Sequence, residues 1–306
     1  MSVIISPIMY QGCKKKLIAK GLVKCFPSNI DTFYDLFSGS GIVSMNVKSK
    51  KYVLSDVNEH LFELYNAFKN LSSSKIINGI YERIEKYGLH KNDIRNHMKE
   101  NSCGVGIEEY KKGFIRLRKR YNKKHDIIDF ITLMYYSFSQ QFRFSYNGDY
   151  NMPIGNRPFS RVNKIYIENG CKFFSSDSIK LRNKAFDTVN IDKIKKNDFV
   201  YLDPPYSSTN AVYNENRYGG GWTKKDDKKL FKFCEELNKR GIKFGISNVF
   251  ESRGKKNKHL IKWCEKNNWY VRHFPNIKYS PCGKGISNND EVFITNYSTE
   301  IKGTFD

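Results

Sequence analysis

Short apolar runs recur along this 306-residue chain, each closing on an acid or a turn residue and each followed by a stretch with helical spacing. TFYDLF (Thr32 to Phe37) runs into SGSG, with a short helix expected over Ile42 to Lys48, and KYVLSD (Lys51 to Asp56) precedes NEHLFELYNAFKNL, whose Leu61, Leu64, Tyr65, Phe68 and Leu71 share a helical face. The pattern resumes with CKFFSSD (Cys171 to Asp177), DFVYLD (Asp198 to Asp203), the helix starting at Lys224, KFGISN (Lys243 to Asn248), a helix near Lys258 to Asn267 and a closing strand EVFITNY (Glu291 to Tyr297). Alternating strands and helices predict an α/β fold with a mostly parallel, doubly wound sheet. Between about residues 76 and 170 the alternation stops. That stretch holds helices, the most apolar over Ile127 to Phe138, and a β-hairpin over Phe142 to Gly155 with Asn147-Gly148 as its turn signal. The expected division is 1–75 with 171–306 as the sheet domain, and 76–170 as an inserted, mainly helical module.

Hydrophobic residues make up 39% and aromatics 15%, enough for a folded core. No apolar run approaches the roughly 20 residues of a membrane span, and Met1 to Tyr10 lacks a secretory pattern, so a cytoplasmic protein without a membrane partner is expected. Seven scattered cysteines without a CxxC pair argue against a zinc site and a disulfide framework, so no metal is expected. The formal charge of +22 points to a polyanionic partner. An AT-rich genome also writes Lys and Asn freely, but the charge clusters: KKGFIRLRKRYNKKH (Lys111 to His125) contains no acid.

In doubly wound folds ligands sit beyond the carboxyl ends of the strands, near the switch in strand order. Asp56, Asp177 and Asp203 fall at or just past predicted strand ends, and Asp35 stands immediately before the glycine turn. Gly39 and Gly41 let the backbone turn tightly or approach a ligand closely. Asp56 suits a ribose diol and suits a helix N-cap equally well. Without a third glycine in G-x-G-x-x-G and without a Walker lysine, a nicotinamide or ATP enzyme is disfavoured, and another adenosine-bearing ligand fits better. YLDPPY ends a buried strand on a carboxylate and two prolines, and proline cannot continue a sheet ladder.

Taken in order, these blocks resemble the Dam-type, alpha-group DNA adenine N6-methyltransferases. MYQGCKKKL is similar to that family's W-x-G-G-K block, with Tyr10 in place of Trp and Cys13 in place of the second Gly. DLFSGSG resembles F-x-G-x-G and is followed by the acidic SDVN. FRFSYNGDYNMPIG is similar to the hairpin of a target-recognition domain, DPPY to the catalytic motif, and Ser247-Asn248 and TNY to later strands. The resemblance covers nearly the whole chain and implies a Rossmann-like methyltransferase sheet with 76–170 as the target-recognition domain. It implies S-adenosylmethionine as cofactor, with Tyr10, Lys14, Asp56 and Asp203 as contacts and with Asp35 and Phe37 in the same pocket. Gly39 and Gly41 would line the methionine end and Asp177 the adenine end.

The expected chemistry is methylation of the adenine N6 amine in double-stranded DNA. That amine is a poor nucleophile because its lone pair is delocalised into the ring. The Asp203 carboxylate and the Pro204 carbonyl would accept from its N–H bonds, Pro205 would lock the turn, and Tyr206 would stack on the base. The base must first leave the duplex. Arg116, Arg118, Lys119 and Arg120 are expected to contact phosphates, and Ser139, Gln140, Gln141, Arg143 and Tyr146 to read base edges. The alternatives are an RNA adenine methyltransferase, which more often begins the motif with Asn, and a non-catalytic nucleic-acid-binding protein on the same fold. Pro281-Cys282 is read as a loop coincidence, and Asn214 to Trp222 as a loop that closes over the base or lies idle. A monomer or weak dimer is expected, and any restriction endonuclease would be a separate chain. A nucleoid-associated location in a bacterium, or in its host if the gene is viral, follows from the DNA substrate.

Overall fold

The computed structural model describes residues 2–92, 107–206, 222–252, 254–278 and 288–299. The chain divides into two compact units. One takes the described residues of 1–3, 14–59 and 177–306, and the other takes 4–13 and 60–176.

The first unit is built on a sheet of β1 (Thr32–Asp35), β2 (Lys51–Ser55), β3 (Ile179–Arg182), β4 (Phe199–Leu202), β5 (Lys243–Ser252), β6 (Lys255–Lys256), β7 (Tyr270–Lys278) and β8 (Asn288–Thr295). The order is β3-β2-β1-β4-β5-β8-β7, with β6 paired to β5. Strands β1 to β5 are parallel, while β8 runs antiparallel between β5 and β7. This is the doubly wound α/β sheet. All four residues of β4 are buried, as a central parallel strand covered on both faces requires. The order reverses between β1 and β4, which pair directly with Tyr34 opposite Val200.

Helices α1 (Lys15–Ala19), α7 (Lys224–Lys239) and α8 (Lys258–Asn267) belong to this unit. Leu230, Cys234 and Leu237 of α7 and Leu260 and Cys264 of α8 join Val200, Leu202, Phe244 and Ile246 in one buried cluster.

The second unit holds most of α2 (Glu59–Asn70), then α3 (Ser73–Tyr87), α4 (Ile107–Lys124), α5 (Ile127–Tyr136) and α6 (Arg161–Phe174). Its edges differ from the 75/76 and 170/171 expected from the pattern. Tyr65 and Phe68 of α2 stack on Phe174 of α6, so both helices pack within this unit. Residues 4–13 join it too, with the Tyr135 hydroxyl donating to the Pro7 carbonyl at 2.9 Å. The hairpin is present as two antiparallel bridges, Phe144 with Tyr150 and Ser137 with Ile154.

Two elements depart from the sequence reading. Cys171 to Phe174, expected as the start of a strand, completes α6. Ser160 and Asn163 form a capping box, and Ile167, Gly170, Cys171 and Phe174 are buried at i, i+3, i+4 and i+7. The strand comes later, at Ile179–Arg182. The helix expected over Ile42 to Lys48 is a single 3-10 turn, Ser44–Asn46. Among the described residues no helix is long and apolar enough to cross a membrane.

Candidate active site

Everything at the switch point follows from how β1 and β4 end. The Leu36 amide donates to the Tyr201 carbonyl at 3.1 Å, carrying the ladder one step past Asp35. The chain then turns through Gly39 (φ 49°) and Gly41 (φ 74°), left-handed values that favour glycine. This turn is fastened to the end of β2. Ser38 donates through its amide (3.0 Å) and its hydroxyl (3.1 Å) to the Ser55 carbonyl. The Gly39 amide donates to Asp56 Oδ2 at 2.9 Å, and the Asn58 amide to Asp56 Oδ1 at 3.0 Å. Asp56 therefore caps the chain that follows it and sets the glycine turn as well, leaving further acceptor capacity on both oxygens.

Three carboxylates converge electrostatically. Asp35 is buried; its Oδ2 accepts from Ser44 Oγ at 2.7 Å and its Oδ1 has no hydrogen-bond partner among the described residues. Burial pushes its carboxyl up to about 7, with the Ser44 hydrogen bond opposing and the charges of Asp203 and Asp56 adding. Asp56 is raised by burial and pulled back by the Asn58, Gly39 and Val57 amides. Asp203 follows β4 directly, and its Oδ2 lies 2.7 Å from Nζ of Lys14, the residue that opens α1. Burial raises Asp203, and the Lys14 ammonium beside it holds it back.

Lys14 also lies 5.2 Å from the centre of the Tyr206 ring, within cation–π range. Pro204 is buried, whereas Pro205 and Tyr206 are half-buried. The Tyr206 hydroxyl donates to Glu291 Oε2 at 3.4 Å. Glu291, on β8, is only 2% exposed, and the sequence reading passed over it. Its signal was there: it is the acid that opens the apolar run VFIT. On the β2 side, Phe37 stacks on Phe186 at 5.2 Å and meets Trp222 edge-on at 5.5 Å. These rings supply a flat apolar wall at the same end of the sheet, and Phe186 and Trp222 were also missed.

Asp177 does not reach this end. It is exposed and precedes β3, whereas Asp35, Asp56 and Asp203 end or follow their strands. In register, Tyr52 pairs with Ile179 and Ser55 with Arg182, so Asp177 stands beside the start of β2. The carboxyl end of β3 carries Asn183 instead, which donates to the Asp56 carbonyl at 3.0 Å. Tyr10 belongs to the second unit, where its ring stacks on Phe142 at 5.5 Å.

The residues expected at DNA separate into two sets. Arg120 pairs with Asp129 and Asp126, and Arg118 donates to the Met152 carbonyl at 3.3 Å, so both brace the second unit. Arg116 and Lys119 are exposed. On the hairpin approach, Ser139 is exposed and adopts φ 57°, and Gln140, at φ 55°, is buried with its amide on the Tyr135 carbonyl. Gln141 is half-buried, Arg143 is exposed and held by Asn151 at 2.8 Å, and Tyr146 is 83% exposed at the tip. Pro281-Cys282 and the loop from Asn214 up to Gly221 lie outside the described residues. Among the described residues no group of side chains suits a metal ion.

A family model for D12 class N6 adenine-specific DNA methyltransferases matches residues 10–274. The chain belongs to this family. Among relatives, it is 34% identical to the type II methyltransferase M.FokI of Planomicrobium okeanokoites over 98% of this chain and 44% of that protein. It is 33% identical to the modification methylase StsI of Streptococcus sanguinis over 97% and 43%. It is also 24% identical to a DNA adenine methylase of Vibrio cholerae over 69% and 70%. The chain thus spans less than half the length of M.FokI and StsI.

Proposed function

We propose that this chain methylates the N6 amine of adenine in double-stranded DNA, taking the methyl group from S-adenosylmethionine. The observation that carries the reading is the Asp203-Pro204 corner at the carboxyl end of β4, with Lys14 at 2.7 Å, in a chain of an adenine methyltransferase family. The residues fit such a cofactor. Among the described residues a buried carboxylate oxygen of Asp35 lacks a partner, Gly39 and Gly41 present no side chain to a ligand, Asp56 retains lone pairs, and Phe37 with Phe186 and Trp222 offers an aromatic wall. Asp35, Phe37, Gly39, Gly41, Asp56 and Lys14 would hold it, and when bound it supplies a methyl group on a positively charged sulfur.

The protein's own residues do the rest. The Asp203 carboxylate and the Pro204 carbonyl accept from the two N–H bonds of the amine and draw its lone pair out of the ring. Buried acceptors act strongly because water does not screen them, and a well-placed pair contributes on the order of several kcal/mol of barrier lowering. The Lys14 ammonium opposes the upward push that burial gives the Asp203 carboxyl. Tyr206 offers a ring for the extruded base, and Glu291 holds its hydroxyl. Arg116 and Lys119 contact phosphates, and Ser139, Gln141, Arg143 and Tyr146 face base edges. The relatives' names, type II methyltransferase and modification methylase, favour a role in protecting sites that a nuclease on a separate chain would cut.

The test is expression in a host lacking adenine methylation, followed by modification-sensitive sequencing. N6-methyladenine at one recurring sequence is the expected result. A genome free of N6-methyladenine, with active protein present, overturns the proposal.

A further inference from the structure

The lip of the sheet beside Asp203 carries a charge that the site chemistry does not use. In register, Leu202 at the end of β4 pairs with Ile246, yet β5 runs on to Ser252, six residues further (252 − 246), or roughly 20 Å at the usual rise. There β6 folds back, with Lys256 opposite Glu251 and Lys255 opposite Ser252. Lys255 and Lys256 therefore stand well beyond the strand end that bears Asp203, on the same side of the sheet. Helix α7 connects the carboxyl end of β4 to the amino end of β5, so its first turns, with Lys224, Lys225 and Lys228, lie toward that side. Helix α8 starts just after β6, at Lys258. Phe231 of α7 stacks on His259 at 5.2 Å and on Trp263 at 4.3 Å, which sets the lysine-bearing turns of the two helices side by side.

All six lysines are exposed, and none forms an ion pair among the described residues. The acids nearby are engaged or set back. Asp226 accepts from the Thr223 amide at 2.9 Å, buried Asp227 accepts from Trp222 Nε1 at 2.7 Å, and Glu251 is half-buried. A strip in which exposed lysines outnumber the neighbouring acids repels itself, and an ordered row of anions relieves that repulsion. Lysine heads are flexible point charges that match phosphates and read no base.

We propose that the lip formed by β6 and the first turns of α7 and α8 is a phosphate-contacting surface that holds duplex DNA flanking the target base. The assignment rests on the methyltransferase reading above. It adds a DNA contact on the sheet unit, separate from the basic helix α4 and the hairpin.

The experiment replaces Lys224, Lys225, Lys228, Lys255, Lys256 and Lys258 with Gln and measures duplex binding by fluorescence anisotropy from about 50 to 200 mM salt. Each phosphate that no longer meets a lysine should flatten the slope of log K against log salt by about 0.9, so a decrease of about three to five is expected. Lengthening the duplex from about one helical turn to about three should strengthen wild-type binding and leave the variant little changed. Calorimetric affinity for S-adenosylmethionine should match the wild type, showing the fold and donor pocket intact. A salt slope and length dependence equal to wild type overturn the proposal. If wild-type protein methylates adenine and the slopes agree, the lip alone fails. If the slopes differ as expected but no adenine is methylated, the methyltransferase reading fails and the polyanion surface stands.

Discussion

Each unit contains a cluster of carboxylates around one fully buried member, Asp129 in the helical unit and Asp35 in the sheet unit, and the two are neutralised very differently. In the helical unit, Asp129 has a fully buried side chain and Asp126 caps α5, accepting from the Ile128 and Asp129 amides. Arg83 reaches both acids, at 3.0 Å to Asp129 and 3.2 Å to Asp126, and Arg120 reaches both as well. Two guanidiniums thus meet two carboxylates, and backbone amides take up part of what is left. In the sheet unit, Asp35, Asp56 and Asp203 gather around the switch point, and Lys14 pairs with Asp203. Asp35 keeps a buried oxygen without a partner. The first cluster is closed and holds helices together. The second leaves a buried Asp35 oxygen unmatched among the described residues, which costs stability, as is common where a site is built for function rather than for packing.

Asp203→Ala should give the largest effect, with methyl transfer falling by on the order of a thousandfold or more while duplex binding persists. Near-normal single-turnover rates would erase the functional side of the contrast. Lys14→Met tests the same pair more gently. Without its counter-ion the raised Asp203 carboxyl should rise further, so the acidic limb of the kcat/KM profile should move to higher pH.

On the closed side, Asp129→Ala leaves two guanidiniums short of a buried partner and should cost about 3–5 kcal/mol, read as a lower urea midpoint. A loss under about 1 kcal/mol would show that the network is dispensable.

Asp35 makes the comparison sharper through pH. Its folded carboxyl sits at about 7, above the usual 3.8, so between those values the folded state binds the extra proton. Its contribution is therefore full below about pH 4 and is lost as pH rises through 7, amounting to roughly 4 kcal/mol. Asp35→Asn should be more stable than the ligand-free wild type at pH 8 and indistinguishable from it near pH 4. Equal melting curves at both pH values would place the carboxyl at its ordinary value. The smallest effect is expected for Tyr206→Phe, which removes the bond to Glu291 and keeps the ring, costing about 0.5–1.5 kcal/mol of transition-state stabilisation.

Much of this was legible beforehand, and the exceptions share a cause. Strands β1, β2, β4 and β5 are short runs dominated by apolar residues, and their ends gave Asp35, Asp56 and Asp203. Strand β3 is IKLR at the sheet edge, where alternating basic residues mask the pattern, while the preceding CKFF has the apolar density of a strand but helical spacing. Misplacing that strand carried Asp177 to the wrong end. Strand β7, YVRHFPNIK, is also an edge strand, and it contains charges and Pro275. Pairings across distant strands escaped for another reason. Glu291 meets Tyr206 across 85 positions, and Asn183 meets Asp56 across 127, separations that no local pattern encodes.

The fastening of the glycine turn has a consequence for how a ligand arrives. Asp56 and Ser55 fix that turn through hydrogen bonds of their own, so the socket is cast before anything enters it. Little chain entropy is then left to surrender at the moment of association, and affinity should depend on how well the incoming charges and rings match a stiff mould.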